Sequence, residues 1–188
     1  AVAQQAAPLQ HTSNLYYSRP CAELARLLVN KTGMAKVFFS NSGAEANECA
    51  IKAARKYAAL TKGKDYYHII TLKNSFHGRT VTTLAATGQA VFHNDFTPLT
   101  EGFLYAEPNN LGAVSRLLNR YRCAAVMLEV VQGEGGVQPL EPNYLTALAQ
   151  LLKQKDVLLI CDEVQIGNGR SGQLYGYMNY RLQPDIFT

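Results

Sequence analysis

Short apolar runs alternate with stretches of helical period along most of this chain. Residues 36–40, 68–73, 102–106, 124–131, 157–164 and 185–188 have strand length and apolar character, and several are bounded by polar or glycine-containing segments. Apolar residues spaced three and four apart predict helices over 45–60, 111–121 and 144–154. In the first of these, Ala46, Cys49, Ala50, Ala53 and Tyr57 are expected to form the inner face. Another helix follows Pro20, which suits a first turn; Leu24, Leu27 and Leu28 keep helical spacing and Gly33 supplies a stop. Residues 1–20 are polar and aromatic without a stable period and read as an N-terminal arm. Strands separated by helices imply βαβ units, hence an α/β fold with a mostly parallel sheet and flanking helices.

The run from Val157 to Gln165 delivers two carboxylates and an amide at the end of an apolar strand. Ligands of open parallel sheets sit outside the carboxyl ends of the strands. An acid at Asp162 can therefore face a cationic ring nitrogen, and Gln165 can hydrogen-bond a neighbouring ring substituent. Glu163 points to the opposite side of the strand.

Three other segments carry chemistry. Asn41-Ser42-Gly43-Ala44-Glu45-Ala46-Asn47 opens a helix, so Ser42, Gly43 and Ala44 offer unsatisfied amides and partial positive charge to a phosphate monoester. Ser42 and Glu45 also read as an ordinary capping box, and the motif alone does not choose between the two. Phe76 follows a strand and can stack on a flat ring or simply fill the core. Arg79, three residues on, is either a carboxylate fork or a solvated charge, and His77 either orients neighbours or is structural. Glu129 ends a further apolar strand beside the glycine-rich turn from Gln132 to Gly136, from which Glu134 could reach inward.

Composition narrows the field. The chain has 188 residues, 47% of them hydrophobic, with 18 basic residues against 14 acidic for a net charge of +4. No basic run marks a nucleic-acid or membrane surface, and no apolar run approaches a membrane span. Four cysteines (Cys21, Cys49, Cys123, Cys161) lack metal-site or paired spacing, so reduced thiols and no metal are expected. The N-terminal residues lack a charged region followed by an apolar core, and a cytoplasmic location is expected. Gly167-Asn168-Gly169-Arg170-Ser171-Gly172 spells a dinucleotide-binding fingerprint. The residues after it are too broken for the helix that fingerprint must open, so a loop is expected and a nicotinamide-dependent dehydrogenase ranks last.

Taken together, Ser42-Gly43-Ala44-Glu45-Ala46-Asn47, Ser75-Phe76-His77-Gly78-Arg79-Thr80, Glu129-Val130-Val131-Gln132-Gly133-Glu134-Gly135-Gly136 and the run ending in Asp162 and Gln165 resemble the class III (ω-amino acid) aminotransferases. The resemblance runs from His11 to Thr188. It implies fold-type I architecture, with residues 21–188 forming part of the large domain that binds pyridoxal 5'-phosphate and with the end of that domain and a small C-terminal domain outside the chain. It implies a homodimeric transaminase that passes the ω-amino group of N-acetylornithine to 2-oxoglutarate in arginine biosynthesis, or that acts on ornithine or another ω-amino acid. By resemblance Phe76 stacks on the cofactor, Asp162 pairs with its ring nitrogen, Gln165 meets its phenolic oxygen, and Glu129 lies near it. Arg79 binds a substrate carboxylate, and Glu134 is a gate residue that neutralises a substrate-binding arginine when the second substrate changes. The family's Schiff-base lysine would lie beyond Thr188, so residues 1–188 alone are expected to be inactive. A non-catalytic cofactor-binding or assembly module on the same fold is the rival from another class. Val130 and Ile166 stand where the family commonly has proline and threonine.

Overall fold

The computed structural model describes residues 1–13 and 15–188, and Asn14, which falls in the expected N-terminal arm, lies outside the described residues. The chain forms two compact units, residues 1–39 and 40–188.

The first unit holds two helices, α1 (Val2–Ala6) and α2 (Arg19–Thr32). Helix α2 begins where the sequence places it, with proline in the first turn, and stops at Gly33, whose left-handed φ of 76° lets its N–H reach Val29 O. Its leucine stripe is not enclosed within this unit, since Leu24 and Leu27 are exposed. The strand expected over 36–40 does not form. An isolated extended segment gains ladder hydrogen bonds only from a neighbouring strand, and among the described residues no strand pairs with it.

The second unit is built on a five-stranded sheet. In chain order it comprises α3 (Gly43–Thr61), β1 (His68–Leu72), α4 (Val81–Ala86), β2 (Phe103–Ala106), α5 (Leu111–Arg120), β3 (Cys123–Leu128), β4 (Val131–Gln132), β5 (Gln138–Pro139), α6 (Pro142–Lys155), β6 (Leu158–Cys161) and β7 (Ile186–Phe187), with short 3₁₀ turns at Ala90–His93 and Gly176–Tyr180. The sheet order is β2-β1-β3-β6-β7, and every pairing in it is parallel. Strand β3, in the centre, is buried at every residue, as covering both faces requires.

Helix α3 lies on this sheet through small residues. Ala50 and Ala54 let its axis come close to Ile69, Ala125, Met127 and Ile160, and Ile51 fills the remaining space. The buried face is Asn47, Ala50, Ile51, Ala54 and Ala58, rotated from the expected one, so that Ala53 and Tyr57 face outward. The buried face includes an asparagine, Asn47, that is not among the residues expected inside.

Two further elements depart from expectation. The strand after Cys123 ends at Leu128, and Val131–Gln132 instead turns back on Gln138–Pro139 as a two-stranded antiparallel ribbon. Helix α4 has only six residues, too few to show a period, but its start is encoded: Thr80 and Thr83 form a reciprocal capping box. Residues 167–172 form a loop that opens no α-helix.

Candidate active site

The carboxyl edge of the sheet gathers the chemistry. Asp162 follows β6, Glu129 follows β3, Phe76 and His77 follow β1, and α3 begins beside them. Ser42, Gly43, Ala44, Asn47, Phe76, His77, Gly78, Arg79, Thr80, Asp162, Val164 and Gln165 line one cavity of about 420 Å³.

Asp162 is 3% exposed and anchored on three sides. Its Oδ2 accepts from Asn47 Nδ2 and from His77 Nδ1, both at 2.8 Å, and its Oδ1 accepts from Val164 N at 3.1 Å. Asn47, itself 1% exposed, uses its other amide hydrogen on His77 O at 2.7 Å. Its Oδ1 accepts from Thr188 Oγ1 at 2.8 Å. Every polar atom of this buried amide is thus satisfied, which is what makes a polar residue tolerable on the inner face of α3. Asn47 is not legible as a site residue from the sequence: an asparagine on a helix is ordinarily solvent-facing, and only its position five residues after the Ser42 cap, on the face that meets the strand-end acid, marks it.

The start of α3 serves two purposes. Ser42 Oγ accepts from Glu45 N, the first half of the expected capping box, but Glu45 Oε2 accepts from Asn41 N and Asn41 Nδ2 instead of from Ser42 N, so the reciprocal half does not form. Gly43 and Ala44 remain as N-terminal amides without an intrahelical acceptor, at the cavity wall. Glycine is required at 43 because a β-carbon there would lie 2.5 Å from Val164 Cγ1.

Phe76 is half-buried in the cavity wall, and Phe92 meets its ring edge-on at 5.7 Å between centroids. Arg79 is exposed at the rim and also borders a second, apolar cavity with Val81, Leu84, Val91, Phe92 and Phe96.

Glu129 and Glu134 do not line the cavity. Glu129 is buried behind it, with Oε1 accepting from Phe76 N at 2.9 Å and Oε2 from Gly133 N at 3.2 Å. Burial pushes its carboxyl up to about 7, offset in part by the nearby His77 and by the Phe76 N–H. It therefore ties the Phe76 loop to the glycine-rich turn. Glu134 is exposed on that turn and accepts from Gln165 Nε2 at 3.4 Å. Glu163 turns away from the cavity, as alternation along the strand requires. Its two oxygens accept from Gly176 N at 2.6 Å and Tyr177 N at 2.7 Å, which closes the loop after β6.

These residues fit pyridoxal phosphate. A carboxylate with acceptor capacity left, free amides at a helix start and an aromatic face border one cavity, and they match in turn a ring N–H, a phosphate and a flat heterocycle. Among the described residues no cluster of metal-ligating side chains is found, and no helix is long and apolar enough to cross a membrane.

A parallel sheet bearing this constellation at its carboxyl edge is the fold-type I architecture of pyridoxal phosphate enzymes. The chain belongs to the class-III aminotransferases: the family described as Aminotransferase class-III matches residues 1–188. It is 52% identical to the acetylornithine aminotransferase of Haemophilus ducreyi and 50% identical to that of Caldanaerobacter subterraneus subsp. tengcongensis. In both cases all of this chain and 48% of the relative are covered, so the chain spans about half the length of the curated relatives it matches. Among solved structures, ornithine aminotransferase from Toxoplasma gondii superposes with a TM-score of 0.93 at 34% identity, over 99% of this chain and 44% of that one. N-acetylornithine aminotransferase from Stenotrophomonas maltophilia gives 0.82 at 38% identity, over 100% and 46%.

Proposed function

We propose that residues 21–188 are part of the large, cofactor-binding domain of a cytoplasmic, homodimeric transaminase that moves the ω-amino group of N-acetylornithine to 2-oxoglutarate in arginine biosynthesis. The observation that carries this reading is the anchored carboxylate of Asp162 in a cavity that also holds Gly43, Ala44, Phe76 and Arg79. Relatives at 46–52% identity that bear the acetylornithine aminotransferase name support the substrate. Ornithine or another ω-amino acid is the second reading, favoured by the likeness in shape to the Toxoplasma enzyme.

Each residue has a task in this reading. Ser42, Gly43 and Ala44 hold the phosphate of the cofactor at the start of α3. Phe76 gives the ring a face to stack on. Asp162 holds a proton on the ring nitrogen by opposite-charge pairing, and Gln165 donates its amide to the phenolic oxygen. Bound pyridoxal phosphate supplies an electron-withdrawing ring that stabilises negative charge on the carbon carrying the amino group. Arg79 forks the carboxylate of the amino donor or of the oxoacid, and Glu134 neutralises a substrate-binding arginine when the second substrate does not need it. Glu129 acts one layer back, by keeping Phe76 and Gly133 in place.

No lysine lines the cavity among the described residues, so residues 1–188 alone would carry no transaminase activity. The test uses the full-length protein with pyridoxal phosphate, N-acetylornithine and 2-oxoglutarate, and reads glutamate formation. Turnover with N-acetylornithine above that with ornithine supports the reading. A protein that binds the cofactor yet forms no glutamate from either donor would sink it in favour of a non-catalytic module.

A further inference from the structure

Asp162 has more donors around it than orientation by the backbone alone requires. An ionised carboxylate offers about four lone-pair sites, two on each oxygen. Oδ2 meets two side-chain donors, Asn47 Nδ2 and His77 Nδ1, each at 2.8 Å, and is thereby saturated. Oδ1 meets a single donor, Val164 N at 3.1 Å, and keeps one site free. The proton of His77 is assigned to Nδ1 because that nitrogen faces a carboxylate oxygen. Nε2, buried and without a hydrogen-bond partner, is then a bare acceptor rather than a stranded donor.

The amide of Asn47 has one workable orientation. Exchanging its oxygen and nitrogen would set a lone pair against both Asp162 Oδ2 and His77 O, and would face an NH₂ toward the hydroxyl of Thr188. His77 is held as firmly, since its own N–H donates to Thr87 Oγ1 at 3.0 Å.

We propose that Asn47 and His77 are positioning residues that act through Asp162: their donors converge on Oδ2, lock the carboxylate plane, and reserve Oδ1 as the acceptor for a cationic ring N–H. This rests on the reading that pyridoxal phosphate occupies the cavity. Without the two donors the carboxylate turns to find others, and the lone pair kept for the ligand is spent on the protein.

The variants separate this role from packing. Asparagine places its Nδ2 near where histidine has Nδ1, so His77→Asn keeps the donor on Oδ2. His77→Gln is closer in volume to histidine but carries its donor farther out, and His77→Leu fills the space with none. A packing role ranks Gln and Leu above Asn, and a donor role ranks Asn above both. The experiment measures the dissociation constants of full-length enzyme, freed of cofactor, for pyridoxal phosphate and for its 1-deaza analogue, in which carbon replaces the ring nitrogen. The ratio of the two cancels any general loss of folding.

Wild-type enzyme is expected to favour pyridoxal phosphate by at least about tenfold, which is about 1.4 kcal/mol. In His77→Leu, His77→Gln and Asn47→Leu the ratio should fall toward one, and in His77→Asn it should return to within about threefold of wild type. An unchanged ratio in His77→Leu and Asn47→Leu, or rescue by Gln as good as by Asn, would overturn the proposal. Wild-type enzyme that binds both compounds equally would overturn the assignment of Asp162 to the ring nitrogen, and this proposal with it. Wild-type enzyme that binds neither would overturn the cofactor reading itself.

Discussion

Gly43 and Val164 are packed so closely that a β-carbon on residue 43 would lie 2.5 Å from Cγ1 and 2.9 Å from Cγ2 of the valine. The start of α3 and the loop after β6 therefore share one wall of the cavity. In the full-length enzyme, Gly43→Ala should cost about 1–3 kcal/mol of overpacking and weaken pyridoxal phosphate binding about tenfold. Adding Val164→Ala removes both methyl groups, leaves only the residue 164 β-carbon at 3.3 Å, and should recover most of both losses. A single Gly43→Ala variant with wild-type Tm and affinity would contradict this packing.

Asp162→Ala removes the acceptor of two buried side-chain donors as well as the partner of the ring nitrogen. We expect turnover to drop at least about a hundredfold, since losing a buried charge partner is worth several kcal/mol and each 1.4 kcal/mol is tenfold. The stranded donors should cost about 1–3 kcal/mol of stability each, leaving the fold in place by circular dichroism. A loss of turnover under about threefold would make Asp162 structural only.

Glu129 gives the fold a pH dependence. Buried, it holds its proton up to about pH 7, whereas the unfolded chain releases it near the ordinary value of 4.5. As pH rises through that window the unfolded state loses its proton first, so this group's contribution to stability falls, by an amount on the order of 3 kcal/mol across the window. Glu129→Gln does not titrate. Its Tm relative to wild type should therefore rise between about pH 4.5 and pH 7 and level off above that, and a pH-independent difference would count against the burial effect.

Arg79→Lys keeps the charge at the rim but loses the fork. In full-length enzyme we expect it to raise KM for N-acetylornithine about tenfold or more, with a much smaller change for a simple aliphatic diamine that lacks the carboxylate. Equal losses for both donors would mean that Arg79 supports its loop and does not read the carboxylate.

Cys123 and Cys161 should be silent toward alkylation while the protein is folded. Burial pushes the Cys123 thiol up to about 12 and the Cys161 thiol well above its ordinary value, so neither presents a thiolate at pH 8. Mass spectrometry after iodoacetamide treatment, with and without denaturant, checks this.

The sequence made the sheet legible because each of its strands is an apolar run closed by polar or glycine-rich segments, and Asp162 was legible because an acid at the end of such a run has few other uses. Asn47 was not. Its polarity pointed outward, and the three partners that permit its burial, Asp162, His77 and Thr188, lie 115, 30 and 141 residues away. The same distance problem set the face of α3 wrongly, so that Tyr57 was expected inside. Glu129 was read as part of the site from its strand-end position, yet the two backbone amides that hold it, Phe76 N and Gly133 N, place it behind the cavity wall. Residues 36–40 show the opposite failure: a local β pattern without a neighbour does not make a strand.

The bond from Thr188 Oγ1 to Asn47 Oδ1 also sets an order of events in time. Thr188 lies 141 residues from Asn47 along the chain, and contacts that close long loops form late. Until then the amide that steadies Asp162 lacks one of its own partners, so the acid reaches its working orientation only near the end of folding. Quenched-flow hydrogen exchange on the refolding full-length protein should accordingly protect the Val164 amide, which donates to Asp162, later than the amides of β1 and β3.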